Sequence, residues 1–190
     1  MPPKIKFTPK MVIDTAFQIV RSDGWPALSA RNIAKKLNSS VGPIYSYLKS
    51  MGALEEKLVG RAYQLLFHYM AKPRTGDRTL DQGVGYVLFA RDEKNLFKCF
   101  IDEKFSTLRR PHSERLWRSL GDEIAANSRY RGLTKRQLEQ HHRKMVTYIY
   151  GMAVLINTGF LDVDMSEKEI TGLLRDTGEM LLAGLRASLK

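Results

Sequence analysis

The segment Ser39-Ser40-Val41-Gly42-Pro43-Ile44-Tyr45-Ser46-Tyr47-Leu48-Lys49 holds the densest group of side chains able to do binding chemistry. Hydroxyls and an ammonium at this density suit hydrogen bonds to phosphate oxygens. Gly42 would let a ligand approach the backbone, and Pro43 fixes first-turn geometry. Ser29 and Arg31, just upstream, can reach phosphate too. Lys4 and Lys6 make a basic arm able to enter a groove of a nucleic acid. The motifs of catalysis are missing: no phosphate loop, no Gly-x-Ser-x-Gly and no His-Glu-x-x-His occur. His141 and His142 are neighbours on a helix, so they point about 100° apart and cannot chelate one metal together. No helix face of carboxylates stands out. The reading is a binding protein rather than an enzyme, with no cofactor and no metal.

The elements that must position these groups are helices. Apolar residues recur at three and four, and the alternation of strands is absent, so the expected class is all-α. Thr8-Pro9 starts a first helix with Val12, Ala16, Ile19 and Val20 on one stripe, and Gly24 ends it. Ser29 caps a second helix that carries Ile33, Ala34 and Leu37 inward. Asn38-Ser39-Ser40 is turn chemistry. A short third helix covers Val41 to Leu48, with Ile44 and Leu48 inward. A long helix runs from Gly52 to Ala71. Lys72 to Asp77, rich in Pro and Gly, is the expected linker. Five more helices follow, at 80–92, 95–108, 112–130, 134–160 and 166–189. Thr134-x-x-Gln137 and Ser166-x-x-Glu169 match the capping box, which fixes two of these starts. The expected divisions are 1–51, a connecting helix at 52–71, and 72–190.

Charge narrows the partner. Thirty-one Lys and Arg stand against 20 Asp and Glu, a formal net charge of +11. Residues 1–71 hold ten of the cations and only four of the acids. A basic front attracts polyanions: DNA, RNA or an anionic membrane. Met1 to Lys10 lacks the apolar run of a signal peptide, and runs such as Met152 to Ile156 are far too short to cross a bilayer. The single Cys99 can form no internal disulfide. A cytoplasmic protein with no membrane partner is expected.

Two short helices joined by a tight polar turn, the second basic and hydroxyl-rich, follow the logic of a helix-turn-helix. Here the sequence resembles the TetR-type (tetracycline-repressor-like) regulators. The residues that carry the resemblance are Val20-x-x-x-Gly24-Trp25, then Ser29-Ala30-Arg31-Asn32-Ile33-Ala34, then Ser39 through Leu54. Order and spacing hold without a gap after Trp25, and the resemblance covers residues 8 to 60. Three positions, at two places, depart from the family pattern. Pro43 replaces a threonine, losing a hydroxyl, and Met51-Gly52 replaces a Lys-Glu pair, losing a phosphate-binding cation. Lys49 can compensate, and the departures point to an unusual operator or a weaker phosphate grip. The resemblance implies a three-helix DNA-binding domain followed by a helical ligand-binding and dimerisation domain. It implies a regulator, more a repressor than an activator, acting as a homodimer on a near-palindromic site in double-stranded DNA. The alternative is an architectural or RNA-binding protein that senses nothing. The expected DNA-binding residues are Lys6, Ser29, Arg31, Ser40, Val41, Gly42, Pro43, Tyr45, Ser46, Tyr47 and Lys49. Tyr45 fits two roles at once, its ring packed and its hydroxyl on phosphate; for Tyr47 and Lys49 the other reading is a solvated face.

In the second half, Leu138, His142, Met145, Ile149, Met152 and Ile156 alternate by four and three, as a pairing seam does. The last helix offers Ile170, Leu174, Thr177, Leu181 and Gly184. The expected dimer residues are Met145, Ile149, Ile156, Ile170, Leu174, Thr177, Leu181 and Gly184; the same stripes could also cover their own core. Tyr86, Phe89, Phe97, Phe100, Phe105, Trp117, Tyr148 and Met152 could wall a pocket for a small apolar or amphipathic effector. His112, Arg115, Asp102 or Asn157 could orient it. An ordinary core explains each aromatic equally well, and the resemblance favours the pocket.

Overall fold

Thr8 opens the first helix as its type predicts. In the computed structural model, which describes residues 8–48, 50–162 and 164–187, the Thr8 side chain accepts from Met11 N at 3.2 Å and α1 runs Pro9–Asp23. Gly24, at φ 86°, ends it in a backbone conformation that L side chains rarely adopt. Ser29 caps α2, Ala30–Lys36, by accepting from Asn32 N at 3.1 Å. Asn38 takes the left-handed turn position at φ 49°, which Asn tolerates better than most residues. Then come α3, Val41–Tyr47, and α4, Met51–Ala71. The second half adds α5, Arg78–Asp92; α6, Lys94–Ile101; α7, Ser106–Ala126; α8, Lys135–Asn157; and α9, Glu167–Ala187. No strand occurs among the described residues. Both expected capping boxes form, Thr134 with Gln137 and Ser166 with Glu169.

One expected helix is broken and its neighbour lengthened. The run 95–108 divides because the Asp102 side chain accepts from Lys104 N at 2.9 Å and caps a short 3-10 turn, Glu103–Phe105. Helix α7 then starts at Ser106 and passes through Pro111, whose missing N–H forfeits only one bond so near the helix start.

The chain forms two compact units, which differ from the expected divisions. One holds the chain up to Tyr63 together with Glu93–Arg109; the other holds Gln64–Asp92 and the chain from Arg110 onward. In the first unit α1 is the hub. Val12, Ala16, Ile19 and Val20 are almost fully buried, and α2, α3 and α6 pack around that helix. Arg61 joins α4 to α1 by bonding Asp14 and lying 4.4 Å over the Phe17 ring. Helix α6 belongs here because its apolar face has a specific seat. Asn95 Nδ2 donates to the terminal carbonyls of Arg21 and Ser22, both at 3.1 Å. Trp25 meets Phe105 with ring centroids 4.4 Å apart. Arg21 grips the Glu93 carboxylate through Nε at 2.7 Å and through a second guanidinium nitrogen. Cys99 lies in the same core, where burial pushes its thiol far above the ordinary range.

The second unit is built around α5, nine of whose 15 residues are buried. Helices α8 and α9 pack on α5 and on each other. Gly85 permits the approach of α4: a Cβ there would stand 2.6 Å from Met70 Cα. The expected linker at 72–77 is an ordered turn. Buried Asp81 accepts from Arg74 N at 3.0 Å, Thr75 N at 2.8 Å and Thr75 Oγ1 at 2.7 Å. Burial pushes its carboxyl pKa up, but these bonds outweigh that and hold it below the usual value.

His141 and His142 diverge as adjacent helical residues must. His142 stacks on Trp117 at 4.3 Å and His141 lies 4.9 Å from the Tyr130 ring. His141 is 1% exposed, and both its ring nitrogens lack a hydrogen-bond partner among the described residues. Burial lowers both pKa values; Arg129, His142 and Lys144 lower that of His141 further.

Two stability predictions follow from these buried groups. The Glu93 side chain is 3% exposed and Arg21 47%, so the partners are unequal. Arg21→Ala strands a buried carboxylate and is expected to cost about 3 kcal/mol. Glu93→Gln leaves an arginine that water can reach and is expected to cost about 1 kcal/mol. Denaturant unfolding checks the order; equal costs would contradict it. The histidines bind protons more readily when unfolded, so stability is full above about pH 6.5 and falls below it. His141→Leu should therefore stabilise, and by more at pH 5 than at pH 7, in thermal unfolding at both pH values.

Candidate nucleic-acid interface

A seven-residue helix offers little surface, so what each residue of α3 does is easily assigned. Ile44 is the one buried residue of α3, at 0% exposure, and fixes its roll against α1 and α2. That roll exposes Gly42, Tyr45, Ser46 and Tyr47 and leaves Val41 and Pro43 half-buried. Tyr45 is 56% exposed and Tyr47 39%. The Tyr45 ring is therefore displayed rather than packed, which corrects half of its expected double role. Nothing lies within 4 Å of where a Cβ on Gly42 would stand, so a partner can reach the backbone there. Ser46 Oγ donates to Pro43 O at 2.7 Å, leaving its lone pairs to accept.

Beside α3 lies a concavity of about 570 Å³, lined by Arg31, Asn32, Ala34, Lys35, Ser39, Ser40 and Val41. It gathers Arg31, Ser40 and Val41 from the expected set. Ser29 precedes it, spending its acceptor on the α2 cap and keeping its hydroxyl proton. Lys35 joins them from outside the expected set; the available signal was its position one turn after Arg31, which puts both cations on one side of α2. Lys6 and Lys49 lie outside the described residues. The described part of the set thus falls on one stretch of the first unit, an arrangement able to bond phosphates from its rim and meet base edges with α3.

The residues of the expected effector wall are divided between the two units. Phe97, Phe100 and Phe105 are core residues of the first unit: Phe97 stacks on Phe100 at 5.7 Å, and Phe100 meets Tyr63 at 4.5 Å. In the second unit are Tyr86, Phe89, Trp117, Tyr148 and Met152. Phe89 is fully buried and edge-on to Tyr69, Met152 is buried, and Trp117 is 45% exposed against His142. Of the polar candidates, Asn157 donates to Ala90 O at 2.9 Å and Asp102 caps its turn, while His112 is half-buried and Arg115 exposed. A concavity of about 480 Å³ in this unit is polar instead, lined by Asp77, Arg78, Thr79, Glu123 and Asn127 among others. No motif in the sequence signalled it, because its residues come from distant turns.

Three of the expected dimer residues are already spent. Ile156, Ile170 and Leu174 are at most 1% exposed within one chain. Ile149 and Leu174 close over Gly83 of α5, and Met145 packs at Gly178 of α9. Thr177 and Leu181 are half-buried, and Gly184 is open. The exposed apolar residues of these helices are others: Tyr150 and Leu155 on α8, Leu173 and Met180 on α9.

Comparison with known proteins bears on the fold. No family model matches the chain. A curated relative, the HTH-type transcriptional regulator YobS of Bacillus subtilis, is 29% identical over 105 residues, 53% of this chain and 55% of that protein. The chain thus spans about half the length of that relative. Solved structures match over nearly the whole chain. A transcriptional regulator from Rhodococcus sp. RHA1 aligns with TM-score 0.67 at 14% identity, over 94% of this chain and 97% of its own. A TetR-like regulator from the same organism gives 0.65 at 18% identity, over 92% and 95%. A regulator from Saccharomonospora viridis, solved in complex with choline, gives 0.66 at 16% identity, over 90% and 95%.

Gly42 separates folding from binding. Gly42→Ala should leave thermal stability unchanged or raise it by about 0.5–1 kcal/mol, since a helical alanine meets no neighbour. It should weaken duplex binding about tenfold, the scale of one lost groove contact. A fall in both would place Gly42 in the fold instead.

Proposed function

We propose that this chain, which has the fold of the TetR-type regulators, is a sequence-specific DNA-binding regulator of transcription and not an enzyme. One observation carries the reading. A short helix held by Ile44 displays Gly42, Tyr45, Ser46 and Tyr47, next to a basic concavity holding Arg31 and Lys35. The helix enters the major groove while α2 and the turn bond the flanking phosphates. YobS supports the reading at the level of sequence, and the solved regulators at the level of fold.

The working form is a homodimer, because one such helix reads few bases and two bind half-sites about 34–36 Å apart. The pairing face keeps Gly184 of the expected stripe and otherwise runs one residue from it: Tyr150 and Leu155 of α8, with Leu173 and Met180 of α9. The four large side chains are exposed and apolar, whereas Ile149 and Leu174 of the expected stripe close on Gly83 of α5. An effector acts through the second unit, and choline in the Saccharomonospora viridis regulator supports a small molecule in that role. Helix α4 is continuous from the first unit into the second and transmits the change. An effector shifts the equilibrium only by binding one arrangement of the dimer better than the other. Repression follows when the unliganded dimer is the one that binds. Among the described residues no helix is long and apolar enough to cross a membrane.

Selection of bound sequences from random duplex DNA by the purified protein, at fixed salt, tests the function. A near-palindrome with two equal half-sites is the expected product. Recovery of no preferred sequence, with affinity that tracks salt alone or passes equally to RNA, would replace the regulator with an architectural or RNA-binding protein.

A further inference from the structure

The displayed face of α3 lacks the side chains that normally read bases by paired hydrogen bonds. In the major groove, guanine is read by Arg or Lys, adenine by Asn or Gln, and cytosine by a carboxylate; thymine alone offers a methyl group to apolar contact. Val41-Gly42-Pro43-Ile44-Tyr45-Ser46-Tyr47 contains no Arg, Lys, Asn, Gln, Asp or Glu. Ile44 is wholly buried, so the surface presented is Val41, Gly42, Pro43, Tyr45 and Ser46, with Tyr47 at the far end. Val41 and Pro43 offer methyls and a ring, and the open space over Gly42 lets a duplex come down onto them. Ser46 has committed its proton to Pro43 O and can only accept. The neighbouring cations, Arg31 and Lys35, sit on α2 and line the concavity at the side of α3, where phosphates pass.

We propose that α3 reads its half-site through the C5-methyl groups of thymines, with Val41, Pro43 and the Tyr45 ring as the contacting surface. This inference rests on the DNA-binding reading above and adds the base chemistry. It requires thymines beneath α3, and it puts any guanine read by Arg31 at the side of that run, next to the concavity. Substitution of Val41 and Pro43 by longer polar side chains would be needed to change the central bases.

The test uses the full-length protein and the duplex recovered by selection, with dT replaced by dU at one position at a time, so that only the methyl group is lost. Equilibrium titration at fixed salt reads the affinity. At two or three positions in each half-site, dU should weaken binding about fourfold, the value of one buried methyl group. Exchange of such a T·A pair for C·G should weaken it further, and 5-methylcytosine in the same place should recover the methyl share. In Val41→Ala, whose fold thermal unfolding checks, one of these dU penalties should shrink toward none while the others stay. A selected site that tolerates dU at every position, within about 1.5-fold, would overturn the inference and leave the DNA-binding reading intact, with duplex shape or hydroxyl contacts reading the bases. Failure to select any site would overturn both.

Discussion

Everything proposed for this chain depends on the burial of one side chain, Ile44. A seven-residue helix is unstable by itself, since forming a first turn fixes several dihedrals for a single hydrogen bond. Helix α3 persists because Ile44 enters a core already built by α1 and α2, and that contact sets which residues face outward. Helix α6 and, through Arg61, helix α4 pack on α1 as well, so α3 inherits its position from much of its unit. Asn38 and the serine-rich turn contribute the bend, and Ser50, which accepts from Ala53 N at 3.0 Å, restarts the chain as α4.

Local chemistry was legible in the sequence because it acts locally. Thr8, Ser29, Thr134 and Ser166 cap where their types and spacing say, and Gly24 stops α1. The helix-turn-helix was legible because its residues are nearly contiguous. Pairing between distant elements was not. The apolar face of α6 announces that something covers it, and Phe97 and Phe100 could equally wall a pocket or fill a core; the identity of the cover, α1, depends on contacts some seventy residues away, such as Asn95 with Arg21 and Ser22. The stripe on α8 and α9 left the same choice open. Ile156, Ile170 and Leu174 have the right period for a dimer seam, but all three are buried within one chain, Leu174 against Gly83 of α5. Periodicity finds a buried face and cannot say whose surface buries it.

Charge divides the labour between the units. Several acids in the first unit are already paired within it: Glu93 with Arg21, Asp14 with Lys10 and Arg61, Glu55 with Lys104. Exposed Arg31 and Lys35 are thereby left to face a polyanion beside α3. In the second unit the buried histidines and Asp81 serve packing and turn geometry, and their protonation links stability to pH without entering the DNA-facing surface. Pro43, which departs from the pattern of the regulators the sequence resembles, fits a helix that presents apolar surface beside its hydroxyls and no amide, carboxylate or cation.

The central claim is that α3 meets base edges inside the major groove. Photo-crosslinking from a benzoyl-phenylalanine in place of Tyr45, on a duplex carrying the selected site, measures that contact directly. The account predicts crosslinks to bases at one fixed step in each half-site, at equal distances from the centre of the palindrome. Crosslinks scattered along the duplex, or none above those of a scrambled sequence, would contradict it.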